Sequence, residues 1–107
     1  MRGEIVAVVL PGRYGKPRPA LVVQADLFDA HPSVSVLPIT SELRKTPLFR
    51  VPITPDAANG LQKPSEIMVD KVTTIPREKI GPIIGVADYA TMQAVNRCLA
   101  LFSGIAS

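Results

Sequence analysis

The sequence contains a single cysteine and a single histidine, and this scarcity excludes several kinds of site. Cys98 has no second cysteine with which to form a disulfide within the chain, which is consistent with a reducing compartment. One cysteine and one histidine cannot supply the ligands of a zinc site. His31 lies in a polar loop before Pro32, where we expect it to contact solvent. The two common glycine-rich phosphate-binding motifs are also missing. We therefore expect neither a metal ion nor another cofactor.

Aromatic residues and long apolar runs are equally rare. With no tryptophan, two tyrosines and three phenylalanines, the chain is poorly suited to stacking RNA bases on an aromatic sheet surface. The longest apolar runs, such as residues 5–10, are much shorter than the roughly 20 residues that span a bilayer. The first residues also make a poor signal peptide. We expect a soluble, cytoplasmic protein that does not associate with membranes.

Length and charge indicate one globular domain with a modest basic excess. The 107 residues, 47% of them apolar, suffice for a single small core, and no linker or repeat divides them. The excess of basic residues lies in residues 1–50, which hold seven basic and four acidic side chains. The rest of the chain holds five of each. An excess confined to one half of the chain suits a polyanionic partner.

Most of the chain consists of short β-type segments separated by prolines. Strands are predicted at residues 4–10, 20–24, 34–40, 48–54, 66–75 and 84–87. The alternation of the fifth segment changes near Asp70, where we expect a bulge or a twist. Pro38 and Pro52 lie inside predicted strands and indicate edges or bends.

The last segment changes to a helical period. From Asp88, which is a good N-cap, apolar residues follow helical spacing and predict a helix at residues 88–103 that ends near Gly104. Several short strands followed by one helix predict a mainly β fold, a small SH3-like β-barrel plugged by the C-terminal helix. We expect one domain over residues 1–107.

Arg18 lies between two prolines at the start of a predicted strand. Pro17 fixes its own φ, and the residue before Pro19 is held away from the helical region, so the backbone at Arg18 is extended and stiff. A cation held in this way suits a phosphate site, because it stabilises added negative charge without rearranging. The alternative is a structural arginine that pairs with a nearby carboxylate.

Three other residues carry polar groups where strands end or are interrupted. Thr40 and Ser41 place two hydroxyls at the end of a strand, an arrangement that fits an anion site and equally fits a turn or a helix cap. Asp70 puts a charge inside an apolar run, which requires a partner or a solvated cleft. Arg18 is a candidate partner for Asp70, and a structural ion pair is the alternative to a functional carboxylate.

Five segments follow one another along the chain: "RGEIVAVVLP", "RPALVVQAD", "VLPITS", "NGLQKPSEIMVDKV" and "TMQAVNRCLALFSGIA". Together they resemble the MazF/PemK toxins of type II toxin–antitoxin systems, and the likeness extends from about Arg2 to Ile105. The resemblance implies a CcdB-like small barrel that forms a homodimer. It also implies a sequence-specific endoribonuclease that cleaves single-stranded RNA (mRNA) without a metal ion and inhibits translation until a cognate antitoxin binds.

In this family the substrate's own 2′-OH attacks the adjacent phosphate, so the protein has only to move protons and to stabilise charge. By position, the resemblance assigns Arg18 to charge stabilisation, with proton transfer as the alternative role. It assigns Thr40 to the scissile phosphate, with Ser41 beside it. It assigns Asp70 to acid–base work and RNA binding. These assignments make Arg18, Thr40 and Asp70 the expected catalytic residues.

The loop before Arg18 departs from the family pattern. Many members have a longer glycine-rich loop there with an acidic residue or a glutamine, whereas this chain reads "PGRYGKP" and has no carboxylate. The general base is therefore unassigned. Arg13, Tyr14 and Lys16 are the candidates for RNA contacts from this loop.

Two other functions compete with RNA cleavage. One is a relative of the same fold that binds RNA without cutting it. The other is a gyrase inhibitor of the CcdB type, which depends on a C-terminal Trp-Gly-Ile. Ser103 stands at the position of that tryptophan, and the chain contains no tryptophan at all. The gyrase function is therefore disfavoured.

Overall fold

The computed structural model describes residues 1–10, 15–44 and 49–105, and these form seven strands and one α-helix. The elements are β1 (Glu4–Val9), β2 (Pro17–Val22), β3 (Ser33–Thr40), β4 (Arg50–Ile53), β5 (Ser65–Met68), β6 (Thr73–Pro76), β7 (Ile83–Val86) and α1 (Tyr89–Phe102). Short 3₁₀ turns lie at Asp26–Phe28, Val69–Lys71 and Arg77–Lys79. Within this part of the chain, no helix has the length and apolar character needed to cross a membrane.

The strands form one strongly bent antiparallel sheet in the order β4-β5-β3-β2-β1-β7. Strand β3 changes partner along one edge: residues 33–36 pair with β6, and residues 39–40 pair with β5. Pro38 is buried close to this change of partner. Pro52 lies on β4, at one end of the strand order, as expected for a proline on an edge strand.

The sheet is a half-barrel, because no ladder joins β4 to β7 within the described residues. The loop after β4 crosses this gap, and the backbone N–H of Val86 donates to the carbonyl oxygen of Ala58 at 2.9 Å. Gly85 permits the close approach, since a Cβ there would lie 2.4 Å from the same oxygen. The architecture confirms the predicted mainly β fold with a C-terminal helix.

Helix α1 is specified by local signals and packs on the inner face of the sheet. The side chain of Asp88 accepts a hydrogen bond from the backbone N–H of Thr91 at 2.8 Å and caps the first turn. Val95 and Cys98 are buried in the core that the helix shares with the strands. Gly104 follows the helix with a φ of 80°, in the left-handed region typical of a residue that ends a helix. The predicted helix is confirmed.

Two details of the strand prediction are wrong. Residues 66–75 do not form one strand, because the 3₁₀ turn Val69–Lys71 separates β5 from β6. This turn is necessary, since the two strands pair with different halves of β3. Strand β2 starts at Pro17 rather than at residue 20, so Arg18 lies within the strand and opposite Val8 of β1.

Candidate functional site

An open cleft of about 520 Å³ lies where the start of β2, the end of β3 and the loop before β5 meet. Its walls combine apolar strand residues with polar side chains from the turns. The lining residues are Leu10, Arg18, Pro19, Pro38, Ile39, Thr40, Ser41, Glu42, Gly60, Leu61, Gln62, Lys63, Ser65, Met68 and Ile84. Three of the residues predicted from the sequence, Arg18, Thr40 and Ser41, therefore share one cleft.

The pairing of β2 with β3 brings Arg18 close to Thr40. Ala20 is paired with Pro38 in an antiparallel register, and continuing that register by two residues places Arg18 level with Thr40. The side chain of Arg18 is exposed, and it forms no ion pair with the described part of the chain. The guanidinium is therefore available to an anion that enters the cleft.

Thr40 and Ser41 form a turn, and the alternative of a helix cap is wrong. Residues 41–44 are not helical, and the Oγ1 of Thr40 accepts a hydrogen bond from the backbone N–H of Glu42 at 3.0 Å. A hydroxyl that accepts one hydrogen bond still has its own hydrogen to donate. Thr40 and Ser41 thus bring two hydroxyl groups to the wall of the cleft that Arg18 also lines.

The cleft also contains charged residues that sequence reasoning missed. Lys63 adds a second cation, and Glu42 adds a carboxylate. Both lie in turns, where neither periodicity nor a motif distinguishes them from ordinary solvated residues. Only the tertiary structure brings them beside Arg18.

A buried ion pair supports the wall that carries Glu42. The Nη1 of Arg50 lies 3.5 Å from the Oε1 of Glu66, and the two side chains are only 10% and 9% exposed. Glu66 Oε1 also accepts a hydrogen bond from the backbone N–H of Arg44 at 3.0 Å. Arg50 Nη1 donates to the carbonyl oxygen of Glu42 at 3.4 Å. The pair therefore holds the backbone just after the Thr40 turn. A charge directly before the apolar run "IMV" was the available signal for Glu66.

Asp70 lies outside the cleft, and its suggested ion pair with Arg18 is wrong. It belongs to the 3₁₀ turn between β5 and β6, and its Oδ1 is buried without a hydrogen-bond partner. Burial raises the pKa of the Cys98 thiol, and the negative charge of Asp70 raises it further. The turn Val69–Lys71 packs against helix α1, so Asp70 lies on the helix side of the core and not with the other predicted site residues.

The remaining predicted contacts lie beside the cleft or outside the described residues. Lys16 is exposed just before β2 but does not line the cleft. Arg13 and Tyr14 fall in residues 11–14, outside the part of the chain that the structure describes. Among the described residues, no three His, Cys, Asp or Glu side chains are grouped so that they could hold a metal ion.

Comparison with known proteins shows the family to which the chain is similar. Residues 1–103 match the family described as PemK-like, MazF-like toxin of type II toxin–antitoxin system. The chain is 43% identical to a probable endoribonuclease MazF of Mycolicibacterium smegmatis over 106 residues, covering 98% of this chain and 97% of that protein.

Solved structures share the fold over nearly the whole chain. The Mycobacterium tuberculosis toxin MazF-mt6 superimposes with a TM-score of 0.80 at 29% identity, covering 94% of this chain and 96% of the other. A mycobacterial endoribonuclease solved in complex with its cognate antitoxin gives a TM-score of 0.84 at 23% identity, covering 100% and 97%.

Proposed function

The chain belongs to the PemK/MazF family of type II toxins and is a MazF-like endoribonuclease, and we propose that it cleaves single-stranded RNA at specific short sequences without a metal ion. The observation that carries this proposal is that Arg18, Thr40 and Ser41 line one open cleft. A cation on a stiff backbone and two hydroxyl groups can donate hydrogen bonds to a scissile phosphate.

The proposed reaction uses the substrate's own nucleophile. The 2′-OH of a ribose loses its proton, and its oxygen forms a bond to the adjacent phosphorus. The bond from phosphorus to the 5′ oxygen of the next nucleotide breaks, and that oxygen takes up a proton. The products are a 2′,3′-cyclic phosphate and a 5′-OH. Because the nucleophile is already next to the phosphate, the protein's task is to position groups and stabilise charge.

Arg18 is the proposed charge stabiliser. Extra negative charge develops on the non-bridging oxygens as the phosphorus becomes five-coordinate, and a guanidinium can donate two parallel hydrogen bonds to them. Thr40 donates its hydroxyl hydrogen to the same phosphate, with Ser41 beside it. Lys63 adds positive charge along the path of the RNA backbone.

Other predicted residues have weaker structural support. Lys16, Arg13 and Tyr14 remain proposed RNA contacts, because they directly precede β2 in the sequence. The catalytic role of Asp70 stays a prediction. Its position beside helix α1, outside the cleft of one protomer, does not support it.

The proposal is tested by incubating the protein with a long single-stranded RNA in excess EDTA and mapping the new 5′ ends. Arg18→Ala should abolish cleavage, because no other described guanidinium lines the cleft. Arg97→Ala is the matched control, since it removes an exposed arginine from helix α1. Discrete cuts by the wild type and the control, but not by Arg18→Ala, are the expected result.

Three outcomes would contradict the proposal. Cleavage by a folded Arg18→Ala protein would remove Arg18 from the mechanism. Loss of cleavage in EDTA with recovery in Mg²⁺ would refute metal independence. Intact RNA after incubation with folded wild-type protein would favour the alternative, a relative that only binds RNA.

We also propose a homodimer. Leu101, Phe102 and Ile105 at the end of α1 are exposed by 48%, 47% and 85%. Phe49 packs edge-to-face on Phe102 with ring centroids 5.9 Å apart and extends this apolar patch. A second copy that covers the patch would remove it from water. Light scattering should give a dimer mass that decreases on dilution, and a monomer mass at all concentrations would refute the dimer.

The proposed protein partner is an acidic antitoxin segment that covers the cleft. The basic excess of residues 1–50, which include Arg18, favours such a partner. A solved structural neighbour is itself a complex with its cognate antitoxin. An acidic peptide that occupies the cleft should compete with RNA and raise KM without changing kcat.

A further inference from the structure

Glu42 places a negative charge in a cleft that is otherwise suited to an anion. Of the described side chains that line the cleft, Glu42 alone carries a carboxylate, and none is a histidine. Its side chain is exposed and forms no ion pair with the described residues. A carboxylate beside a phosphate site weakens RNA binding by repulsion, so its presence there calls for a function.

The backbone of Glu42 is held on both sides by side chains. Its N–H donates to the Oγ1 of Thr40 at 3.0 Å, and its carbonyl oxygen accepts from the Nη1 of Arg50 at 3.4 Å. Arg50 is itself fixed by the buried ion pair with Glu66. An exposed turn residue does not need such support for stability, whereas a reacting group needs a defined position.

We propose that Glu42 is the general base of this enzyme, an inference that rests on the proposed RNA cleavage. Its carboxylate takes the proton from the attacking 2′-OH while the 2′ oxygen bonds to phosphorus. The 5′ oxygen that leaves takes a proton from water, to which the open cleft gives access. Afterwards Glu42 returns its proton to solvent, so that charge and atoms balance.

The other polar residues of the cleft are poor candidates for this step. The side chains of Arg18 and Lys63 are donors and offer no acceptor for a proton. The remaining polar groups, which are the hydroxyls of Thr40, Ser41 and Ser65 and the amide of Gln62, are weak bases. The segment directly before Arg18, "PGRYGKP", contains no carboxylate. Glu42, which follows Thr40 in the turn after β3, supplies a carboxylate to the same cleft.

The test compares Glu42→Gln with the wild type on a short RNA that contains one cut site. Glu78→Gln is the matched control, because it removes the same charge from an exposed turn that does not line the cleft. Glu42→Gln should lower kcat by on the order of a hundredfold or more, the usual contribution of a general base. KM should fall or stay the same, since a repulsive charge is removed.

The pH dependence separates a base from a structural residue. In the wild type and in Glu78→Gln, kcat/KM should rise with pH on the acidic side, as expected for a reaction that depends on a general base. Glu42→Gln should lose this rise, and Glu42→Asp, which keeps a carboxylate, should recover it in part. Circular dichroism confirms that each variant is folded.

The outcomes distinguish this inference from the proposed function. If the wild type and Glu42→Gln cleave RNA equally well, the role of Glu42 is refuted and the proposed function stands. Glu42→Gln could instead change the cleavage sequence while kcat and the rise of kcat/KM with pH stay the same. Glu42 would then recognise a nucleobase of the RNA, which also refutes its role as general base. Folded wild-type protein that cuts no RNA refutes the proposed function, and the general base with it.

Discussion

Replacing Arg50 with methionine should reduce the free energy of unfolding by about 3 kcal/mol. Methionine replaces the aliphatic part of the arginine side chain but has no charge, so it leaves the carboxylate of Glu66 buried without its cation. Removing one partner of a buried ion pair costs about 3–5 kcal/mol. The lower end applies here, because Glu66 keeps the hydrogen bond from the backbone N–H of Arg44 at 3.0 Å.

Replacing both partners should recover most of this loss. In Arg50→Met/Glu66→Leu no buried charge remains, and apolar pairs of similar volume are often as stable as the ion pair they replace. The backbone N–H of Arg44 loses its acceptor, which leaves a deficit of about 1 kcal/mol. The two substitutions should therefore be strongly non-additive, as expected for side chains in direct contact.

Urea unfolding followed by far-UV circular dichroism measures these differences. All variants are compared at one protein concentration, because the stability of the proposed dimer would depend on it. Arg97→Met serves as the control, since that arginine is exposed on helix α1 and should change stability by less than about 0.5 kcal/mol. A loss below about 1 kcal/mol for Arg50→Met, with an unchanged m value, would refute the reasoning. The pair would then behave like a salt bridge at the surface.

Two titratable groups give further expectations. Burial, and to a lesser extent the charge of Asp70, raises the pKa of the Cys98 thiol. Iodoacetamide should therefore label this thiol more slowly in the folded protein than in urea. Equal labelling rates, measured by mass spectrometry, would contradict this. The hydrogen bond from the backbone N–H of Thr91 lowers the pKa of Asp88. The stability that the ionised form of Asp88 contributes is complete above about pH 4. It is lost as the pH falls through the pKa that Asp88 has in the folded protein, which is the lower of the two. Asp88→Asn, which keeps a cap that does not titrate, should therefore lose less thermal stability on acidification, and an identical pH profile would exclude a contribution from Asp88.

Local signals were sufficient for the C-terminal helix. Its period, its N-cap Asp88 and its terminal Gly104 all lie within one continuous segment, and each acts on neighbouring residues along the chain. The predicted range, residues 88–103, agrees with Tyr89–Phe102 to within one residue at each end. No partner element was needed to recognise the helix.

Strand boundaries depended on the partner strand. The run at residues 66–75 has β-type composition throughout, and only the pairing of its two ends with different halves of β3 requires the 3₁₀ turn between them. Strand β2 begins at Pro17 because β1 extends far enough to pair with it, as the match of Val9 with Pro17 shows. The change of alternation near Asp70 predicted an interruption where the turn Val69–Lys71 lies, but alternation carries no information about the strand with which each end pairs.

The candidate site also combines features that local sequence determines with features that depend on tertiary structure. The sequence alone determined that Arg18 is a cation on a stiff, extended backbone and that Thr40 and Ser41 end a strand, because proline geometry and strand patterns act locally. Only the tertiary structure decided that these residues share a cleft with Glu42 and that Asp70 lies away from it. Those relations depend on strand register and on loops distant in sequence meeting in space, and no local pattern of residues encodes either.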